Sequence, residues 1–484
     1  MASETAAVAI IKALKEIVGD QNASNSEAIR QAYSRDQNYM FNEPKQPDYV
    51  VRVKTRDEVK KVLKLANENK IPVVPLGQGV NIRGLCIPTK GGILLDMRGM
   101  NKILEINLEM MTATIEPGVS VGQLVAACRK KRVRPAIPGA PATVSAFANY
   151  MLRGVYHSNP QDGMDHVLSM EIELATGETI RTGSAAISSS YGPYCRYFGP
   201  DLTGLFMGVP GAFGVITEMT CKLYDLPEDS KFMVFGFDTW ESACKFGVQL
   251  MKLEIPTLLW LIDWLAVAVI SGYSKRDIVK KTPMKAFPVV SFPFLIEGTK
   301  DDVEYKLRKL DKLVETSPPD HDFRQKDFSV AMSSEEFLGG RNVAGMLKMG
   351  YYFALAFFHP LSNAPQVFAM FKEMGEKNGF DKDIVSFVTT PTRTGPNNWS
   401  GQLTYSEGEL FVDQTEPGMM ESLRAFAKDC VQGLLDRKLI YSWFRPYSAV
   451  LEQTLERAGD TKIFLHKIKD MLDPNGIMNP GKFL

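Results

Sequence analysis

The sequence predicts an α+β protein of two domains, the second organised around an antiparallel sheet. Three observations carry this. The chain has 484 residues, more than the ~250–300 at which single cores stop growing. Its first half alternates β-branched runs with helical segments and hairpins. Its second half reads as four strands, each with a helical segment after it, the rhythm of a separate α+β unit.

Taken in order, Met1 to Gly19 is Ala-rich and carries Glu4, Lys12, Lys15 and Glu16, which predicts an amphipathic helix. It lacks the basic start, apolar core and cleavage site of a secretory signal. Tyr49–Val53 is a β-branched strand. Thr55 and Glu58 then have the spacing of a capping box, opening a helix to about Asn69. Ile71–Pro75 is the next strand and runs into a glycine-rich loop. Ile93–Met97, Ile103–Asn107 and Thr112–Glu116 follow as strands, and Ser120 with Gln123 forms a second capping box for a helix to about Lys130. Met170–Ala175 and Thr179–Thr182 flank Thr176-Gly177, a hairpin signal. Phe213–Leu223 is one more strand.

A change of character near Pro227 places the domain boundary there. Phe232–Phe237, Val289–Phe294, Tyr352–Phe358 and Gly408–Val412 read as strands, with helices over 240–252, 301–315, 364–378 and 417–435. The strand–helix units share no sequence repeat.

Composition excludes several classes. Apolar residues make up 45% and charged residues 23%, ordinary for a globular protein. Lys plus Arg equals Asp plus Glu at 56 each, so there is no electrostatic footprint for nucleic acid or an anionic membrane. The six cysteines are widely spaced without C-x-x-C, which argues against a metal or disulfide framework and for reduced thiols in a cytoplasmic protein. The most apolar run, Leu258 to Ile270, holds Asp263 and, at about 13 residues, is too short to span a bilayer.

Three segments could carry chemistry. Pro75-Leu-Gly-Gln-Gly-Val-Asn81 ends a strand in glycines, which let backbone N–H groups approach an anion closely. A phosphate or pyrophosphate is the natural guest, although a plain surface turn has the same composition. The spacing is neither G-x-G-x-x-G nor a Walker loop. Pro138-Gly-Ala-Pro-Ala-Thr-Val-Ser145 is small and irregular before a helical stretch, suiting a flat ring laid against backbone; an ordinary helix-capping loop is the plainer reading. The third is Leu472-Asp-Pro-Asn-Gly-Ile-Met-Asn-Pro-Gly-Lys482, turn-rich but with apolar Ile477 and Met478 inside it.

Together these segments resemble the vanillyl-alcohol oxidase/p-cresol methylhydroxylase flavoprotein superfamily. The likeness runs from about Tyr49 to Glu228 and resumes from about Trp443. It rests also on Ile93-Leu-Leu-Asp-Met-Arg, Ile115-Glu-Pro-Gly-Val119, Met170-Glu-Ile-Glu-Leu-Ala-Thr-Gly-Glu178, Gly214-Val-Ile-Thr217 and Asp473-Pro-Asn-Gly-Ile477. The resemblance implies a bipartite FAD-binding domain, residues 1–228 and 441–484, with residues 229–440 as an α+β cap over the isoalloxazine ring. It assigns the pyrophosphate loop to Pro75, Leu76, Gly77, Gln78, Gly79, Val80 and Asn81. The second flavin loop falls on Pro138, Gly139, Ala140, Thr143 and Ser145, with Asn149 and Gly154 nearby. Gly214 and Ile216 match the strand beside adenine and ribose.

Departures from the family pattern bear on the substrate. Two tyrosines and an arginine clamp the phenolate in phenol-oxidising members; the matching positions here are Ile82, Phe444 and Arg445. Arg445 could bind a phenolate, a carboxylate or the flavin edge, or serve as a structural ion pair. The family's catalytic aspartate matches Ala140. His157 and Tyr156 are the candidate bases. The position of the family's covalent flavin histidine falls near Leu355, with His359 close by, and the pattern favours noncovalent FAD. The H-x-G-D-G-N-x-H cluster of the metal-dependent hydroxy-acid branch is missing, so no metal is expected. Trp260 and Asp263 are further candidates for the substrate pocket, against the plainer reading of that stretch as core. The expectation is hydride removal from a small aromatic substrate. The alternatives are a nonaromatic alcohol or hydroxy acid, or a flavin subunit passing electrons to an acceptor protein. The superfamily's habit of dimerising suggests a homodimer.

Overall fold

The computed structural model describes residues 2–36, 42–80, 83–137, 140–151, 163–187, 192–324, 350–391, 404–440, 442–443 and 454–483. Three sheets organise them. The first joins Ala23–Ser24, Tyr49–Arg52, Ile93–Asp96 and Val73–Leu76 in that order, the last three strands parallel. Such strands need coverage on both faces, and all but Arg52 and Pro75 of those three are buried. Helix Arg56–Glu68 makes the crossover, turning Val59, Val62, Leu63 and Ala66 inward. Helix Ala2–Val18 adds Leu14 and Val18 to the same core.

The cap of the Arg56 helix differs from a reciprocal box. Thr55 accepts from Glu58 N at 3.2 Å, but Glu58 Oε2 accepts from Lys54 N instead. At Ser120 both halves of the box are present.

The second sheet is antiparallel: Ile103–Asn107, Thr112–Ile115, Val215–Asp225, Val167–Glu173 and Thr179–Arg181, with Val133–Pro135 added to the long central strand. Helix Val121–Arg129 packs beneath it.

The third sheet begins with Asp229–Phe237 and has nine strands, all antiparallel. Its order places Val290–Gly298, Leu261–Asp263, Val385–Pro391, Thr404–Val412 and Tyr351–His359 side by side. Helices Trp240–Lys252, Lys300–Thr316, Ala364–Lys377 and Met419–Asp436 cover one face through a phenylalanine-rich core. Strand alternation then directs the intervening residues to the opposite face. Helix Trp264–Ile270 covers part of that face. The apolar run expected as one unit is thus split into two short strands and a helix.

Among the described residues, side chains of the first half reach the cap at Arg134 and Arg83. Arg134 makes a two-pronged pair with Glu297 at 3.1 and 2.9 Å. Arg83 donates to the Ala354 carbonyl at 3.1 Å. No helix among the described residues is long and apolar enough to cross a membrane.

Candidate functional site

The glycine loop leaves the carboxyl end of strand Val73–Leu76, where ligands of open parallel sheets bind. Gly79 has φ +76°, a conformation that favours glycine. Among the described residues, no hydrogen bond occupies the backbone N–H of Gly77, Gln78, Gly79 or Val80. Such open N–H groups form a concave anion site. Gln78 steadies the loop by donating to the Gly118 carbonyl at 2.5 Å.

The second loop lies directly against the first. A Cβ on Gly77 would come within 3.3 Å of Ser145 Cβ. Ser145 is itself committed: its hydroxyl donates to Pro117 O at 2.9 Å and accepts from Ala148 N at 3.1 Å, opening helix Ala146–Met151. Asn149 donates back to Ser145 O. Ala140 is half-buried on the domain core, while Thr143 is exposed.

A third loop closes the group. Gly211, at φ +69°, sits where a Cβ would lie 2.4 Å from Pro75 Cγ, and a Cβ on Gly214 would lie 2.7 Å from Ile172 Cγ2. Ile216 is half-buried and pairs with Ile172.

The C-terminal string ties the first and third loops together. Val73 N donates to Ile477 O at 2.7 Å, and Asn479 N to Val73 O at 2.9 Å. Asn479 Nδ2 donates to Leu85 O and Pro210 O. Lys469 Nζ donates to Ala212 O, Asp473 Oδ2 and Met478 O at 2.6, 2.6 and 2.9 Å. Burial lowers the Lys469 pKa, and Asp473 opposes that shift. This internal role explains the apolar Ile477 and Met478 within a turn-rich tail.

Two of the cap candidates are buried and hydrogen-bonded within the cap. Asp263 is a helix cap: Oδ1 accepts from Ala266 N at 2.9 Å and Ser386 Oγ at 3.0 Å, and Oδ2 from Phe387 N at 3.0 Å. Burial raises its carboxyl to about 6, against the pull of those three donors. His359 is a core residue. Its Nδ1 donates to Pro360 O at 2.7 Å, and its Nε2 lies 2.5 Å from Ser406 Oγ. Burial lowers its pKa to about 4. With both nitrogens engaged and no exposed surface, it has no free atom for a flavin link. Leu355 lies in the same core. Trp260 is half-buried beside Ile262 and Val388, on the sheet face opposite the four helices.

Asn81, Ile82, Pro138, Gly139, Gly154, Tyr156, His157, Phe444 and Arg445 lie outside the described residues. Sequence reasoning missed a polar cluster on the cap face toward Arg83, made by Tyr352, Tyr405, Glu407 and Glu409. Its signal was Tyr405-x-Glu407-x-Glu409, acids at strand spacing in a segment otherwise built for a core. Among the described residues, no three His, Cys, Asp or Glu side chains are grouped as a metal site.

A glycine-lined anion cradle at the end of a parallel sheet, closed by the chain's own tail and facing a second sheet, defines a two-domain protein built to hold a dinucleotide. The comparisons agree with that class. Residues 47–183 match the FAD binding domain, and residues 454–483 match the C-terminal domain of FAD linked oxidases. Two separate stretches of the chain thus match family models of FAD proteins, and its cofactor is FAD. A glycolate oxidase subunit of Bacillus subtilis is 30% identical over 295 residues, 60% of this chain and 60% of that one. The match thus spans about three fifths of that relative's length. A mitochondrial D-lactate dehydrogenase (cytochrome) of Arabidopsis thaliana is 26% identical over 98% of this chain and 80% of its own. The structure of p-cresol methylhydroxylase with substrate bound superposes with a TM-score of 0.87 at 21% identity, covering 98% of this chain and 95% of that one, a likeness of fold.

Proposed function

We propose that this chain is an FAD-dependent oxidoreductase that removes hydride from the hydroxyl-bearing carbon of a small substrate, with a benzylic or phenolic compound favoured. The observation that carries the reading is the pairing of the open glycine cradle with an aromatic and acidic cap face toward Arg83. Phe358 and Tyr405 meet there edge to face, centroids 5.9 Å apart, a lining that suits a ring.

Bound FAD supplies the two-electron acceptor. The chain's residues supply the rest. Gly77–Val80 would receive the pyrophosphate on backbone N–H groups. The loop around Ser145 would lie along the ring, held close because residue 77 has no side chain. The cap sheet would exclude water from the reacting carbon, strengthening every charge interaction there.

The second reading is a hydroxy acid, motivated by the glycolate and D-lactate names of the two relatives. A carboxylate would then need a cation, and Arg445 or Arg83 would provide it. The name of the Arabidopsis relative also motivates a cytochrome as electron acceptor.

Anaerobic mixing of the FAD-loaded chain with 4-hydroxybenzyl alcohol, D-lactate and glycolate tests these readings. Bleaching by the benzylic alcohol alone supports the first, and bleaching by the acids alone replaces it with the second. A flavin that none of them reduces removes both. Acid precipitation should release the flavin into the supernatant.

A further inference from the structure

Strand Thr404–Val412 turns Tyr405, Glu407 and Glu409 to the face opposite the four helices. Phe358, Ala356 and Ala354 stand across the ladder from them. The two alanines leave room over the glutamates. Tyr352 reaches into it, with Oη 2.9 Å from Glu407 Oε2 and 2.8 Å from Glu409 Oε1. The Tyr405 hydroxyl donates to the other oxygen of Glu407. Arg83, from the flavin-binding half, lies 3.6 Å from Glu407.

The protons in this group can be counted. One phenolic hydrogen cannot serve two carboxylates. Glu409 is 1% exposed, and among the described residues it has no cation in reach and no hydrogen-bond partner for Oε2. Burial first, then the negative charge of Glu407, holds its carboxyl well above the usual range, and Asp263 behind it adds to the effect. Glu409 is therefore the neutral acid. Its O–H lies toward Glu407 and the Tyr352 hydroxyl, which is within hydrogen-bond distance of both carboxyls. Glu407 takes the hydroxyls of Tyr352 and Tyr405 and lies opposite Arg83. At 19% side-chain exposure, Glu407 is also the more exposed of the two glutamates.

We propose that Glu407 accepts the substrate proton, and that Tyr352 and Glu409 are positioning residues that hold it ready. This rests on the reading of the chain as an FAD-dependent oxidoreductase. In the step, the substrate C–H bond breaks and its electron pair leaves with the hydrogen to the bound FAD. The substrate O–H bond breaks, its proton goes to the Glu407 carboxylate, and a C=O bond forms. Glu409 already holds its proton and cannot compete. Four groups face Glu407 and Glu409 and set their charge balance: Arg83 from the flavin half, Tyr352 on the neighbouring strand, Tyr405 on the same strand, and Asp263 at the helix cap.

Stopped-flow reduction of the FAD-loaded chain by 4-hydroxybenzyl alcohol or D-lactate, from pH 5 to 9, reads the first half of the proposal. Glu407→Gln should slow flavin reduction about 10²- to 10⁴-fold, the range for loss of a general base, and erase the acid limb of the profile. Tyr352→Phe removes a hydrogen-bond partner of Glu407, so the pH profile should change with the flavin retained. A Glu407→Gln variant that keeps the wild-type rate and profile overturns the assignment. Infrared difference spectra between wild type and Glu409→Gln at neutral pH read the second half without any substrate. A protonated-carboxyl band is expected in the wild type and should vanish in Glu409→Gln. Its absence from the wild type overturns the neutral-acid assignment. A band present while neither probe reduces the flavin overturns the oxidoreductase reading and the role of Glu407, and leaves the proton on Glu409.

Discussion

Two buried charged groups in this molecule look alike in sequence and differ in kind. In the flavin-binding half, Lys469 and Asp473 form a closed set. The ammonium has three acceptors, and the carboxylate also takes the N–H groups of Ile477 and Met478 at 2.9 and 2.8 Å. In the cap, two glutamates share one tyrosine, and one oxygen is left without a partner among the described residues. Satisfied burial fixes structure, whereas a buried group short of partners stores a protonation state that chemistry can use. A motif that is merely charged and buried does not separate the two; the proton count does.

The closed set should show the largest effect on stability. Lys469→Met leaves Asp473 buried without its cation, and breaking such a pair costs about 3–5 kcal/mol. Urea unfolding of the FAD-loaded chain should register it, with FAD released at lower denaturant as the tail lifts from Val73. A change below about 1 kcal/mol would mean that the two backbone donors alone suffice for Asp473.

The cap offers a sharper contrast between two titrations of opposite sign. His359 is held neutral, its pKa lowered from 6.5 to about 4 by burial. The unfolded chain therefore binds a proton the native one refuses, and this contribution is lost as pH falls from 6.5 toward 4. At ~1.4 kcal/mol per unit it amounts to about 3 kcal/mol. Asp263 is raised from 3.8 to about 6. Its native state binds the extra proton, so its contribution is present below 3.8 and lost as pH rises through 6, again by about 3 kcal/mol. The two offset each other across the same window. Asp263→Asn should make the acid loss of stability steeper than in the wild type, and His359→Gln should flatten or reverse it. Denaturation midpoints from pH 4 to 7 decide this, and parallel curves for all three proteins would refute both assignments.

The sequence made the two halves legible to different degrees. Strand Ile103–Asn107 and the Ser120–Gln123 box were readable because each is specified within a few residues by alternation and by side-chain-to-backbone bonds. The glycine loop announced itself through its composition, and at Gly79 the backbone conformation favours glycine. Strand Val385–Pro391 was not read, since a strand buried on both faces carries no alternation to betray it. The surroundings of Asp263 and His359 were not legible for a related reason. An acid or imidazole in an apolar run signals either a site or a satisfied core group, and only the partners, Ser386 and Ser406, reside far enough along the chain to be invisible locally. The glutamate cluster needed three strands and Arg83 in register before its missing proton could be counted.

The smallest effects separate two glycines of the cradle. Gly211→Ala places a side chain at φ +69° and 2.4 Å from Pro75 Cγ. Left-handed backbone alone costs about 1–2 kcal/mol, which should appear as roughly tenfold weaker FAD binding. Gly77→Ala carries no such backbone penalty. Its cost lies in the 3.3 Å approach to Ser145 Cβ, a side chain that cannot turn aside while its hydroxyl bonds Pro117 and caps the following helix. About 1 kcal/mol, the worth of that cap, is expected. A double-mutant cycle isolates the contact: in the Ser145→Gly background, Gly77→Ala should weaken FAD binding less than it does alone, because the opposing Cβ is gone. Additive losses would mean that residue 77 is small for the sake of the cofactor itself and not for the meeting of the two loops.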